Sequence, residues 1–161
     1  GLSALTISAQ ADGAALVLLM SPQACAQWGV RTSMTFQAHA SVGGAPEVPL
    51  LAAELAARDV LARAGGMQAQ ALARVELHDA FAVQGLSFAR GLGLTPEQLN
   101  ASGGGLARGH PIGASAAAAL VRLLSELAQH DQPQAKGLVA VAGAGGLGAA
   151  AVVQRLNKPA A

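Results

Sequence analysis

Asn100-Ala-Ser-Gly-Gly-Gly-Leu-Ala-Arg-Gly-His-Pro-Ile-Gly-Ala-Ser115 is the stretch from which the rest of the chain is read. It is a glycine-rich loop that delivers one histidine, His110, to the mouth of a helix. Gly103, Gly104 and Gly105 permit positive φ and close approach to another group. Pro111 suits a first helical turn, where a missing N–H costs nothing. From Gly113 onward the alanine-rich run carries no charge until Arg122, and it predicts a strong helix. A histidine at that N-terminus meets the positive end of the helix dipole, which disfavours imidazolium. The neutral ring donates from one nitrogen and accepts at the other. A lone loop histidine is more often a local hydrogen-bonding residue. The glycines, the proline and the buried-type helix weigh towards a working one.

Outward from this loop the chain alternates strands and helices. Residues 14–20 form a short, continuously apolar run, the pattern of a strand buried on both faces. Ser21-Pro22 follows as a helix cap with proline at the first position, and the helix reaches about Trp28. Residues 32–41 predict a second strand, with His39 as a packing or edge residue. A helix over 49–64 repeats Leu50, Ala53, Ala57, Leu61 and Ala64 on one face and stops at Gly65-Gly66. Residues 72–77 predict a strand ending at His78-Asp79, and a helix over 80–91 comes next. Thr95-Pro-Glu-Gln98 reads as a one-turn helix. The helix after His110 extends to about His130. Its first half is apolar on every side, which predicts burial all round. Strands over 137–142 and 149–156 flank a tight turn, Gly143-Ala-Gly-Gly-Leu-Gly148. That turn invites a dinucleotide reading, but no helix follows to present N–H groups and no acid lies about 20 residues on. No internal repeat or linker is visible, and a disordered tail is expected after residue 157.

Composition narrows the function classes. The 161 residues suffice for one domain with a real core. Only 2% are aromatic, so dense packing through Ala and Gly is expected rather than aromatic clusters. Net charge is +1 with no basic run, which argues against a nucleic-acid surface. The uncharged run from Gly109 to Val121 is broken by His, Pro and Gly and is too short to span a bilayer. No signal-peptide pattern is visible, and the chain starts at Gly1 without Met, as expected of a missing or processed start. The single Cys25 leaves no internal disulfide and suits a reducing, cytoplasmic setting. No cationic neighbour in sequence activates it, so it reads as structural.

Three stretches, taken in order, resemble the thiolase superfamily. The run from Asn100 to Ser115 is similar to the family's histidine motif. His78-Asp-Ala-Phe-Ala82 resembles the second motif, closest to the His-Asp-x-Phe form of sterol-carrier-protein-type thiolases. Asp12-Gly-Ala-Ala-Leu-Val-Leu-Leu-Met-Ser21 resembles the strand that closes the N-terminal half. The match runs from about residue 8 to 156 and covers only the C-terminal part of a thiolase. It implies an α/β fold, a mixed sheet with helices on both faces, preceded by the last strand and helix of the N-terminal half. Residues 1–30 would end the N-terminal domain, 31–157 form the C-terminal domain, and 158–161 the tail. The helix after His110 would lie between two sheets.

The resemblance also implies chemistry. In the family, the residue matching His110 activates a nucleophilic cysteine and donates to the thioester oxygen, a form of oxyanion stabilisation. His78 falls where the family holds a catalytic water or builds the oxyanion hole. His110 is expected beside His78 and beside the turn at 143–148. Ser8, Phe81, Asn100, Gly109, Ala144 and Gly145 match substrate-binding positions. The substrate implied is a coenzyme A thioester, with no separate cofactor and no metal. The nucleophilic cysteine belongs to the N-terminal half, so a thiolase-like partner chain is expected to carry it, in a heterotetramer. Both family seats of the acid/base cysteine are alanine here, Ala142 and Ala80, and alanine moves no proton. Two readings follow: the C-terminal part of an acyl-CoA acyltransferase performing thiolysis or Claisen-type condensation, or a non-catalytic thiolase-fold subunit that stabilises a catalytic partner.

Overall fold

The parity of side chains along the strands decides the architecture, because alternate residues face opposite sides of a sheet. The computed structural model describes residues 3–31 and 34–156. Its elements are α1 (Pro22–Trp28), β1 (Met34–Gly43), α2 (Ala52–Arg63), β2 (Arg74–Leu77), α3 (Ala82–Leu92), α4 (Gly105–Arg108), α5 (Ser115–Gln129), β3 (Lys136–Gly143) and β4 (Leu147–Arg155). The strands form one mixed sheet in the order β1-β4-β3-β2. β4 runs antiparallel to β1 and β3, and β2 runs parallel to β3.

One face of that sheet presents Val75, Leu77, Leu138, Ala140, Ala150 and Val152 to α2 and α3. The other presents Val139, Ala151 and Val153 to Ala119, Leu123 and Leu127 of α5. Those three α5 residues recur every fourth position, one stripe of a helix. Leu123 and Leu127 are fully buried, and each such leucine contributes roughly 1.5–3 kcal/mol of burial energy. On the first face, α2 buries Ala52, Ala53, Ala56 and Ala57. Small side chains let its backbone come close to the sheet. A Cβ on Gly148 of β4 would stand 2.0 Å from the Ala52 carbonyl oxygen.

Local signals place several boundaries. The Ser21 hydroxyl accepts from the Ala24 N–H at 3.1 Å, Pro22 opens α1, and Gly29 ends it in the left-handed conformation. Cys25 on this helix is a free, half-buried thiol, and Trp28 at its end is 74% exposed. His39 lies exposed on β1, an edge strand. The first two residues of the strand expected over 32–41, and the tail expected from 158, fall outside the described residues.

Three expectations are corrected. Residues 14–20 are not a strand: among the described residues no ladder partner pairs with them, and Leu16, Leu18 and Leu19 are 88%, 74% and 69% exposed. An apolar run becomes a strand only where another strand meets its N–H and C=O groups, and the described residues present none there. Likewise, α5 is not buried all round. It packs on a single sheet, and Val121 on its outer side is 41% exposed. Pro111 does not begin that helix either. Residues 111–114 make a turn in which the Pro111 carbonyl accepts the Ala114 N–H at 2.9 Å, and α5 starts at Ser115.

The close approach of α2 to β4 generates a stability prediction. Gly148→Ala forces backbone apart at the Ala52 contact, and overpacking of this kind costs about 1–3 kcal/mol. Chemical denaturation is expected to show a lowered midpoint with an unchanged slope.

Candidate active site

His78 and His110 meet although 32 positions separate them. Strand β2 ends at Leu77, and the His78 N–H extends the pairing by donating to the Ala140 carbonyl at 3.1 Å. This fixes His78 at the C-terminal end of the parallel pair. The glycine loop then comes down on it. Its rings and those of His110 stack, with centroids 4.3 Å apart and planes at 26°.

Asn100 anchors the start of the loop. Its Oδ1 accepts the Leu77 N–H at 2.8 Å, and its own N–H donates to the Val75 carbonyl at 2.9 Å. Asn100 adopts φ 49°, a left-handed conformation that asparagine tolerates. Gly104 and Gly105 leave no room for side chains. A Cβ on Gly105 would lie 2.6 Å from His78 Nδ1, and one on Gly104 would lie 2.2 Å from Asp79 Oδ1. Asp79 Oδ1 accepts the Leu106 N–H at 3.3 Å, holding the first turn of α4. Gly109 turns the chain into His110 with φ 90° and packs against Ala11.

The N-terminal segment closes the other side. The Ser8 N–H donates to the Ala80 carbonyl at 2.9 Å, and the Ser8 hydroxyl donates to the Gly105 carbonyl at 2.6 Å. Gln10 bridges to His110, and the His110 N–H donates to the Ala9 carbonyl at 2.7 Å. Ile7 pairs with half-buried Phe81, the residue that caps α3. Ser8, Phe81, Asn100 and Gly109 are therefore gathered around the histidines. Ala144 and Gly145 stand apart from them in bonding. They are exposed, and their turn is tied to the β1–α2 connection by the Gly44 N–H donating to the Gly146 carbonyl at 2.7 Å. Among the described residues no hydrogen bond joins this turn to either histidine.

Protonation follows from the surroundings. The Ser115 hydroxyl donates to the Pro111 carbonyl at 3.0 Å and sits 2.8 Å from His110 Nδ1. With its one proton on the Pro111 carbonyl, the Ser115 hydroxyl accepts from Nδ1–H, the tautomer that leaves the His110 lone pair on Nε2. His78 is 6% exposed. Burial first, then the charges of His110 and Arg108, push its imidazole down to about 4. His78 Nε2 is buried without a hydrogen-bond partner. The pair thus offers one accepting nitrogen and one unpaired ring nitrogen, the equipment for taking a proton and for meeting a substrate oxygen.

Beneath His78 lies Glu76, fully buried on the α5 side of β2. Burial first, and then the charge of Glu126, raise its carboxyl to about 7, against the opposing charges and hydrogen bond of Arg108 and the charge of Arg122. Sequence reasoning missed Glu76, Asp79, Arg108 and Ser115. A charged residue between Val75 and Leu77 in an apolar strand was the visible signal for Glu76; Asp79, Arg108 and Ser115 lie inside the two histidine motifs, which gave them no role of their own. No group of His, Cys, Asp and Glu among the described residues could hold a metal ion. No helix there is long and apolar enough to cross a membrane.

A mixed α/β layer with a histidine loop folded onto a strand end defines a class, and comparison with known proteins agrees. The sequence matches the thiolase C-terminal domain family over residues 30–155. The chain belongs to the thiolase family and carries its C-terminal domain. It is 40% identical over 144 residues to acetyl-CoA acetyltransferase of Chromobacterium violaceum, covering 89% of this chain and 36% of that protein. It is 35% identical over 146 residues to acetyl-CoA acetyltransferase of Escherichia coli, covering 91% and 36%. Among solved structures, Acat5 thiolase from Ascaris suum in complex with coenzyme A superposes with a TM-score of 0.78 at 29% identity, covering 84% of this chain and 34% of that one. The chain spans about a third of the length of these relatives.

Two outcomes follow from the site's electrostatics. Ser115→Ala removes the acceptor at Nδ1, so nitrogen NMR of His110 is expected to change from one dominant tautomer to a mixture. Glu76 holds its proton to higher pH in the folded chain than at the ordinary 4.5. Its favourable contribution is complete below pH 4.5 and disappears as pH rises through about 7. From pH 4.5 to 8, the stability of Glu76→Gln relative to wild type is expected to rise by roughly 3 kcal/mol, measured by denaturant titration.

Proposed function

We propose that this chain supplies the histidine half of a thiolase-like acyl-CoA acyltransferase site. The stacked His78–His110 pair, with the His110 lone pair at Nε2, carries the reading. His110 Nε2 takes the proton of a cysteine thiol, and the resulting thiolate attacks the thioester carbonyl. Once protonated, the same nitrogen donates to the oxygen on which charge develops, and His78 meets that charge from its unpaired nitrogen. The adduct collapses to the acyl-cysteine as its bond to the coenzyme A sulfur breaks and that sulfur takes the proton back from His110. Ser8, Phe81, Asn100 and Gly109 shape the edge along which the pantetheine arm approaches; Ala144 and Gly145 border it from the β3–β4 turn.

The cysteine comes from the N-terminal half of the fold, on a partner chain or another segment. Two features support this. Leu16, Leu18 and Leu19 are exposed on an unpaired extended run, and the outer side of α5 is partly bare. Both are surfaces a second sheet would cover. On this reading residues 1–30 finish the N-terminal domain and 31–157 form the C-terminal one. The assembly is a heterotetramer of two such pairs, in the cytoplasm. The relatives named as acetyl-CoA acetyltransferases favour a short acyl group. The non-catalytic reading has one observation in its favour: Ala80 and Ala142 occupy both family positions for the acid/base cysteine.

The deciding experiment is His110→Ala in the assembled complex, with exchange of labelled coenzyme A into acetyl-CoA followed at saturating substrate. The turnover number is expected to fall by about 10²–10⁴. Unchanged turnover would establish the supporting, non-catalytic role.

A further inference from the structure

The acyl-transfer reading leaves one ion pair without a task, between a fully buried carboxyl and a partly exposed guanidinium. Glu76 Oε2 lies 3.2 Å from Arg108 Nη2. Arg108 closes α4, two residues before His110, and its Nη1 donates to the Gly103 carbonyl at the start of the same loop. Glu76 on β2 stands two residues before His78, which directly follows the strand's end. One guanidinium, carried near the loop's end, thus touches Gly103 near its beginning and Glu76 on the strand that leads into the other histidine.

Stability does not account for such a pair. Taking the Glu76 charge out of water costs more than an attraction to a half-solvated guanidinium returns unless every lone pair is met, and an apolar residue of similar volume often serves as well or better. Here the lone pairs are not all met. Glu76 Oε1 has no hydrogen-bond partner, nor have the Glu126 carboxylate oxygens on α5 that face it. Arg74 on β2 and Arg122 on α5 are directed to Glu126, at 3.6 and 3.7 Å. Only Arg108 among the described residues makes an ion pair with Glu76.

We propose that Glu76 and Arg108 are positioning residues, whose ion pair clasps the histidine loop to β2 and sets the face-to-face spacing of His78 and His110. The role deepens the acyl-transfer reading and rests on the histidines forming the working pair. It accounts for an arginine two positions before a reactive histidine and for an acid under the other. Arg108 also stands near enough for its charge to act on His78, after burial and His110 have done so.

The test compares the full 161-residue chain with the Glu76→Met/Arg108→Met variant by NMR of the ring protons and by thermal melting. Wild type is expected to give, at pH 8 where the Glu76 carboxyl is ionised, a cross-peak between the His78 and His110 rings, and a His78 ring that stays neutral to about pH 4. The variant is expected to melt no lower, yet to lose the cross-peak and to shift His78 titration towards the ordinary imidazole range. A variant that keeps both the cross-peak and the low titration overturns the proposal, whatever its melting temperature. Should the double variant not fold, Arg108→Lys decides on the same readouts. Lysine retains the charge but cannot reach both Gly103 and Glu76, so loss of the cross-peak is expected, and its retention overturns the clasp. None of these readouts requires turnover, so failure of acyl transfer and failure of the clasp are told apart.

Discussion

Contact between bare backbone and an imidazole governs this molecule. The loop descends at Gly104 and Gly105 until main-chain atoms rest against His78 and Asp79, where a single added carbon at either glycine would overlap a side-chain atom. Steric exclusion therefore sets how near the loop can come. Directional bonds from Asn100 and Asp79 then hold it there. A pair of stacked neutral rings has little attraction of its own to fix a separation. The surrounding backbone limits their approach, as preorganised sites require.

The same economy explains the layer under the site. β2 is short, and its apolar residues Val75 and Leu77 face α2 and α3. The opposite parity carries Arg74 and Glu76, which meet Arg122 and Glu126 of α5 and Arg108 of α4. The sheet is thus oily on one side of β2 and charged on the other. Charges in low dielectric interact over longer range than at the surface, which is why Arg108 and His110 are both felt at His78.

Much of this was legible in the sequence. The meeting of His78 with His110 followed from motif order, and the cap at Ser21-Pro22 from local chemistry. Strands β3 and β4 followed from short apolar runs around a glycine turn. Residues 14–20 and the outer side of α5 were misread for a shared reason. An apolar pattern records that a residue is meant to be covered; it does not say whether the cover lies in the same chain. The Glu76–Arg108 pair was hidden for another. Ion pairs between distant positions leave no periodicity, and the two residues are brought together only once the loop has folded. The start of α5 shifted because the Pro111 carbonyl was already engaged by the turn it closes.

Trp28 gives the fold an unusual optical character. The chain has one tryptophan, no tyrosine and three phenylalanines, and that tryptophan sits at the exposed end of α1. The well-packed interior, built from Ala, Val and Leu, absorbs almost nothing in the near ultraviolet. Emission from Trp28 therefore reports on whatever lies beside α1, and the interior can loosen without altering it. Fluorescence is a poor gauge of unfolding here and a clean gauge of docking: a blue shift registers a surface laid over α1, with no background from the core.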